Sequence, residues 1–519
     1  MKLALLIILV IDGFRPDSIS REVTPNIFRL KNEGVWCDNS HSVFPTVTRV
    51  NSASISTGTV PAVHGIVSNT MYVEGVASKP FDTADYNNLM KLAEISGGRT
   101  LPVKTMAEAL EGAGLPFVGI SSGSTGGGFL INPMGPSGTG VLINGGFEDG
   151  HRVAYPDKID SEIQQRFGVV KSQEGIPSLL WAERVLREYV LSDLRPRVIV
   201  DWLTEPDETQ HKFGVGSPEA LAALKSMDQQ VGLLISRLRE LGLENSSDIM
   251  VTADHGFGGE PDPVDLNGAI QATGKASDIV AANNGASTLL YAKDHDPTLI
   301  RGLVSQLQKT DGVDLIFTSA QQPKEATVQC RPGRDLGWVS GTFSLELINE
   351  CRPTRGADVI VTYQWTSDRN AFGFPGLQRI ATTNMQHNVA GRSGHGGLNP
   401  FMIHTPLILW GPDFKRQTVV HAPTANFDIA PTVLALEGVK APDSMTGRVI
   451  AEAFAKQSKE EPKARMRSVE TRAGSYCASI QLSVIDHRTY VDRGQRCESA
   501  AATRTSAARS GAPESAKIR

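Results

Sequence analysis

Short apolar runs recur along the chain, separated by longer stretches with helical spacing. LALLIILVI (3–11), PFVGI (116–120), RVIVDWL (197–203), DIMVTA (248–253) and PLILW (406–410) are apolar at nearly every position. A strand with one wet face would alternate, so these runs predict strands covered on both faces, as in a parallel sheet between helices. Between them, TPNIFRLKNEG offers Thr24 as N-cap, Pro25 at the first helical position and Gly34 past the end; SPEALAALKSMDQQVGLLISRLRELG repeats the design with Ser217, Pro218 and Gly242. Further helices are expected at 105–112, 177–191 and 297–308. The alternation predicts an α/β fold: three layers, helix–sheet–helix, around a mostly parallel central sheet.

Residues 257–390 break the pattern. GTFSLELINE and ADVIVTYQW are β-rich and flank the turn Cys351–Gly356, which predicts an inserted α+β subdomain, a β-rich cap near the site. The layered pattern resumes at PLILW and ends in the helical segment ANFDIAPTVLALEG. The expected organisation is therefore a core of residues 1–256 and 391–455, an insertion at 257–390, and a C-terminal extension at 456–497 containing a hairpin. A final tail, 498–519, is rich in Ala, Ser and Arg, lacks aromatics and is expected to be disordered.

With 519 residues, 40% of them hydrophobic and 21% charged, the chain can bury a sizeable core, and its net charge of −5 gives no electrostatic footprint for a nucleic-acid polymer. The five cysteines are an odd number without a CxxC pair, which argues against a disulfide scaffold or a cysteine zinc site. Reduced, partly buried thiols are expected, with Cys330–Cys351 the one bridge to consider. The first apolar run is too short to span a membrane and has no small-residue cleavage site after it, so it reads as a strand. As the sequence stands the chain is expected to be cytoplasmic; a start further upstream with an export signal would make it periplasmic or secreted.

Chemistry gathers at the ends of the apolar runs. Asp12 ends the first, with Gly13 after it; Asp207 and His211 follow RVIVDWL; Asp254 and His255 follow DIMVTA; His395 lies in SGHGG. Ligands in open α/β sheets sit beyond the carboxyl ends of strands, which is where these acids fall. Asp207 and His211, four apart, share a face if helical. Asp254 and His255 can reach one ion only where the chain turns, and Gly256 permits a turn. Such nitrogen and oxygen sets suit zinc, and a zinc pair clamps the two oxygens of a phosphoryl transfer. Thr48, in FPTVTRVN, offers a hydroxyl nucleophile at the start of a predicted helix. His64 reads as structural, and His41 is a weaker candidate for lining the site.

Taken in order, VIDGFRPD, FPTVTRVNSASISTG with PAVHGIVSN, EPDETQHKFG, TADHGF, and SGHGG followed by PLILWGP resemble the alkaline phosphatase superfamily in its type I phosphodiesterase/nucleotide pyrophosphatase branch. The resemblance implies two zinc ions per chain, with manganese or another divalent metal as substitutes. Asp207, His211 and His395 would hold one; Asp12, Thr48, Asp254 and His255 the other. Asn69 would hydrogen-bond a phosphoryl oxygen together with the Thr48 backbone N–H. It implies hydrolysis of phosphodiester or pyrophosphate bonds in a small-molecule substrate through a phosphothreonine intermediate. Phosphonoacetate-type C–P hydrolysis and phosphomonoester hydrolysis are the alternatives. The segment after PFVGI, SSGSTGGGFLINP, lacks the lysines of phosphonoacetate hydrolases, and Arg49-Val50 stand where phosphodiesterases often carry an aromatic and a proline. A non-catalytic binding module on the same fold would be expected to lack a ligand, and none of the expected ligands is missing. The sequence does not set the oligomeric state.

Overall fold

The run 5–11 forms β1 (Leu5–Ile11), every residue of which is buried. Its side chains alternate between two cores: Leu6, Ile8 and Val10 face one, Leu5, Ile7, Leu9 and Ile11 the other. Each such aliphatic group is worth about 1.5–3 kcal/mol when removed from water, so a charge in this run would break the sheet's centre. This computed structural model describes residues 5–170, 175–324, 327–331, 333–381, 393–456 and 459–497. The 498–519 segment, expected to be disordered, lies outside them.

The central sheet contains β1, β2 (Val35–Cys37), β3 (Phe117–Ser121), β4 (Val141–Gly146), β5 (Arg152–Tyr155), β6 (Val198–Leu203), β7 (Ser247–Thr252), β8 (Leu407–Trp410) and β9 (Thr418–Val420). Its order is β9-β2-β8-β7-β1-β6-β3-β4-β5. Within it β7, β1, β6, β3 and β4 pair in parallel. β5 and β8 run against their neighbours. The sheet is thus mostly parallel, as expected, but PLILW is an antiparallel strand; burial on both faces makes a strand apolar whichever way it runs.

Helices cover both faces. α1 (Pro25–Glu33) and α3 (Pro218–Glu240) contribute Ile27, Leu30, Leu224, Met227, Val231 and Leu234 to one core. α2 (Thr48–Thr57) packs Val50 and Ala53 into the other. Ser217 caps α3 through the Ala220 N–H, as its sequence predicts. Thr24 does not cap α1, because its hydroxyl turns back to the Ser20 carbonyl. The first-turn N–H groups of Asn26 and Ile27 instead donate to the Asp228 carboxylate of α3, at 3.1 and 2.9 Å. A tertiary carboxylate has displaced the local cap.

Residues beyond β7 build a five-stranded sheet from Ile279–Asn283, Ser287–Ala292, Val313–Thr318, Phe343–Ser344 and Val359–Tyr363, with the helix Pro297–Leu307. ADVIVTYQW supplies a strand here, whereas GTFSLELINE supplies only Phe343–Ser344 before the chain turns. The C-terminal extension, expected as a hairpin, is a three-stranded antiparallel sheet of Arg465–Ala473, Tyr476–Ile485 and Arg488–Arg496. The charged RMRSVETRA segment hides its strand character because only one of its residues is buried.

The thiols depart from expectation. Cys330 pairs with Cys351 and Cys477 with Cys497, with Cα–Cα distances of 5.6 and 5.3 Å, while Cys37 is free and buried. Strand pairing sets the second bridge: the Cys497 N–H donates to the Cys477 carbonyl. No helix among the described residues is long and apolar enough to cross a membrane.

Asp228→Ala leaves two first-turn N–H groups of α1 without a partner. It should destabilise the protein by about 1–3 kcal/mol. Equilibrium urea denaturation checks this; an unchanged midpoint would contradict the tertiary cap.

Candidate metal centre

Three adjacent strands end on one edge of the sheet, and each delivers an acid. β1 runs into Asp12, β7 into Asp254 one residue after Ala253, and β6 into Asp207 through Thr204–Pro206. Asp207 opens the short helix Asp207–Phe213, so His211 stands one turn on, with Nε2 3.5 Å from Asp207 Oδ2. His395 comes from the far end of the sequence. It is held because Gly258 and Gly394 pair as an isolated bridge and Ala286 N–H donates to the His395 carbonyl.

Two glycines allow the close packing. Gly13 has φ +70, and a Cβ there would meet the Phe257 ring at 2.8 Å. Gly256 is required for space rather than for a left-handed turn: a Cβ would sit 2.2 Å from the Phe401 carbonyl oxygen. Its N–H donates to the Met402 carbonyl.

All three imidazoles are oriented the same way. Nδ1 of His211 bonds the Ser393 carbonyl at 3.1 Å, Nδ1 of His255 the Gly256 carbonyl at 3.0 Å, and Nδ1 of His395 the Thr46 carbonyl at 2.9 Å. A carbonyl can only accept, so each Nδ1 carries the proton and each Nε2 presents a lone pair. This is the arrangement by which outer-shell partners aim metal ligands. Asp207, His211 and His395 offer ligand atoms within 4.8 Å of one another, and so do Asp12, Asp207 and His255.

The contacts are those of acceptors crowded on acceptors. His255 Nε2 lies 3.2 Å from Asp254 Oδ2, 3.6 Å from Asp12 Oδ1 and 3.9 Å from Asp207 Oδ1. Asp12 Oδ1 and Asp254 Oδ2 are buried without a hydrogen-bond donor among the described residues. The other oxygens are satisfied: Asp12 Oδ2 accepts from Trp202 Nε1 at 3.0 Å, and Asp254 Oδ1 from the Gly13 and His255 N–H groups. Burial, then the neighbouring Asp254 and Asp207 carboxylates, push the Asp12 carboxyl well above its ordinary range. Burial, then His255 and His211, push His395 well below its own. Neutral lone pairs and clustered carboxylates, with buried oxygens lacking donors, fit divalent cations.

The clusters are not grouped as the resemblance implies: Asp207 joins Asp12 and His255, and Asp254 is not among the three. Asp207 lies within reach of both clusters, with Oδ1 3.7 Å from His395 Nε2 as well as 3.9 Å from His255 Nε2. Asp254 has one oxygen committed to backbone N–H groups.

Thr48 is the first residue of α2 and is buried, with Oγ1 3.4 Å from His255 Nε2. Asn69 Oδ1 accepts from the Arg49 N–H at 2.9 Å, which leaves its NH2 as a donor. A cavity of about 100 Å³ opens over Thr48, lined also by Asp12, Arg49, Ser124, Thr204 and Asp207. Among the described residues, none of 257–390 lines it. The Arg49 guanidinium reaches Asp82 at 3.5 Å, while its buried Nε has no hydrogen-bond partner among the described residues.

Several contributors escape sequence reasoning. Trp202 reads as part of a buried strand; its role follows only from the β1–β6 register, Val10 opposite Trp202. Phe257 packs against the rings of His211, His255 and His395. Its carbonyl is bonded by buried Arg15, another motif residue without an assigned part. His64 is structural, between Ser54 Oγ and the Ile66 N–H. His41 lies elsewhere.

The fold and the site define a three-layer α/β protein with Asp/His groups gathered at the ends of its parallel strands. The chain belongs to the type I phosphodiesterase / nucleotide pyrophosphatase family, whose model matches residues 6–322. It is 29% identical over 250 residues to human ectonucleotide pyrophosphatase/phosphodiesterase family member 1, covering 48% of this chain and 23% of that protein. It is also 29% identical over 254 residues to the venom phosphodiesterase of Macrovipera lebetinus, covering 49% and 25%. The matched region is thus about a quarter of the length of these relatives. Among solved structures, an inactive variant of murine ectonucleotide pyrophosphatase/phosphodiesterase 5 in complex with AMP superposes with a TM-score of 0.60 at 15% identity, covering 88% of this chain and 100% of that one.

A raised Asp12 pKa carries a sign for the chelator-treated protein. The folded state then binds the proton more tightly than the unfolded state, so stability falls as pH rises from the ordinary value of 3.8 through the raised one. Asp12→Asn should therefore melt higher than wild type at pH 8 in chelator, and the gap should shrink as pH falls through that window. A lower melting temperature for the variant at pH 8 would contradict carboxylate crowding.

Proposed function

We propose that the protein is a metal-dependent hydrolase of phosphodiester or pyrophosphate bonds that works through a phosphothreonine on Thr48. The observation that carries this is the Thr48 hydroxyl, at the N-terminus of a ten-residue helix, beside the acceptor cluster and under the cavity. The relatives named phosphodiesterases and nucleotide pyrophosphatases support the reaction class.

Asp207, His211 and His395 would hold one zinc ion, and Asp12, Thr48, Asp254 and His255 the other, with Asp207 near enough to serve both. Bound there, the metals would lower the hydroxyl pKa and neutralise phosphoryl charge. Two such ions against three carboxylates leave one net positive charge, which suits an anionic phosphoryl group.

The chain's own groups do the rest. Thr48 Oγ1 attacks phosphorus, a bond forms between them, and the bond to the leaving oxygen breaks. Water then attacks the same phosphorus and frees Thr48. The Thr48 backbone N–H at the α2 terminus and the Asn69 NH2 would donate to phosphoryl oxygens. Trp202 holds the Asp12 carboxylate, and the three backbone carbonyls hold the imidazole tautomers.

Cavity size bears on the substrate. About 100 Å³ is well below the ~300 Å³ lower end of ordinary ligand pockets, so a phosphoryl group enters and the leaving group stays outside. Among the described residues of the lining Trp202 is the one Trp, Tyr or Phe, and its N–H is committed to Asp12. Arg49 favours a second reading in which the leaving portion is itself anionic, as in a phosphonoacetate-type compound or a phosphomonoester. The two disulfides support an oxidising compartment, periplasmic or secreted, over the cytoplasm.

Thr48→Ala should lower turnover of bis-p-nitrophenyl phosphate on the order of a thousandfold or more while zinc content stays at the wild-type level. Near-normal turnover would overturn the nucleophile. His395→Ala should bind about one zinc ion fewer per chain, by metal analysis of gel-filtered protein. An unchanged count would contradict the ligand set.

A further inference from the structure

A second Asp/His group lies away from the cavity, where the C-terminal sheet meets the core. His41 belongs to the short strand Ser40–His41, His404 follows the helix Pro400–Ile403, and Asp492 sits in the last strand, Arg488–Arg496. Ligand atoms of all three fall within 4.8 Å of one another. His41 and Asp492 are 1% and 8% exposed. The two imidazole centroids are 4.7 Å apart.

The hydrogen bonds repeat the logic of the Thr48 site. His41 Nδ1 lies 2.9 Å from the Thr424 carbonyl and so carries a proton. In the neutral ring Nε2 is then a lone pair, yet it stands 3.0 Å from Asp492 Oδ1. Two buried acceptors hold that distance only with a cation between them or on one of them. A proton on His41 would satisfy the pair; a cation would also engage His404, one of whose ring nitrogens bonds the Ser40 backbone and whose other remains for a ligand.

The carboxylate is also delivered by an irregularity. Register in the sheet runs Gln481 opposite Arg493 and then Leu482 opposite Val491, so Asp492 is the extra residue of a β-bulge. Bulges re-aim side chains. Ser483 Oγ, 3.1 Å from both Asp492 oxygens, fixes the carboxylate further.

We propose that His41, His404 and Asp492 form a separate structural site for a zinc-type divalent ion that staples the C-terminal sheet to the catalytic core. Two imidazoles and a carboxylate suit such an ion, with water completing the coordination. The assignment does not depend on the hydrolase reading, since none of the three residues lines the cavity.

The test compares zinc-loaded, gel-filtered full-length wild type with His404→Gln and Asp207→Asn by metal analysis and thermal melting. His404→Gln should carry about one ion per chain fewer than wild type, melt lower, and keep the wild-type rate on a phosphodiester. Asp207→Asn should retain the ion that His404→Gln loses, and the double variant should lose both contributions. Because the count is taken with the Thr48 site disabled as well as intact, a failure of the hydrolase reading leaves it readable. If His404→Gln, folded by circular dichroism, holds as much zinc as wild type, the proposal is overturned and the contact is a protonated His41–Asp492 pair. Should His404→Gln not fold, Asp492→Asn, which keeps the side-chain shape, gives the same count.

Discussion

Three buried carboxylates at the ends of neighbouring strands set the terms for this molecule. Asp254, Asp12 and Asp207 leave β7, β1 and β6, which are adjacent in the sheet, so parallel pairing forces the acids together. Like charges in a water-poor place repel strongly, and proteins keep them only with a compensating cation or proton. The surroundings suit a divalent cation. Each nearby imidazole has its proton tied to a backbone carbonyl, so none can donate from Nε2. Trp202 supplies one neutral donor to Asp12, and among the described residues no lysine or arginine pairs with Asp12 or Asp254.

From that constraint the chemistry follows with few additions. A site that gathers positive charge above a parallel sheet is suited to anions, and α2 presents its N-terminus and Thr48 to the same place. Arg49 adds a cationic side chain to the cavity lining. Among its described residues, the insertion reaches the centre through Phe257 and Ala286, behind the histidines.

How much of this the sequence discloses depends on the range of the interaction. Asp12, Asp207, His211, Asp254, His255 and His395 are legible because each follows an apolar run or sits among glycines, and the sheet brings such ends together. The three-layer fold is legible for the same reason. What depends on register or on distant packing is not. Trp202 looks like any core residue until β6 is laid beside β1. Asp228 looks like a helix surface residue, yet it replaces the local cap that Thr24 offers to α1. The direction of PLILW is invisible, since burial alone makes a strand apolar. The cysteine bridges depend on strand pairing around 477 and 497, which spacing cannot reveal. His41 resembles the other histidines in sequence and differs only in where the chain carries it.

The central claim is that Thr48 bears the phosphoryl group between two displacements, and the stereochemical course at phosphorus tests it most directly. A phosphodiester chiral at phosphorus, hydrolysed in isotopically labelled water, reports the number of in-line steps. Two displacements through Thr48 predict net retention of configuration. Net inversion would mean that water attacks the substrate directly, and would contradict the account.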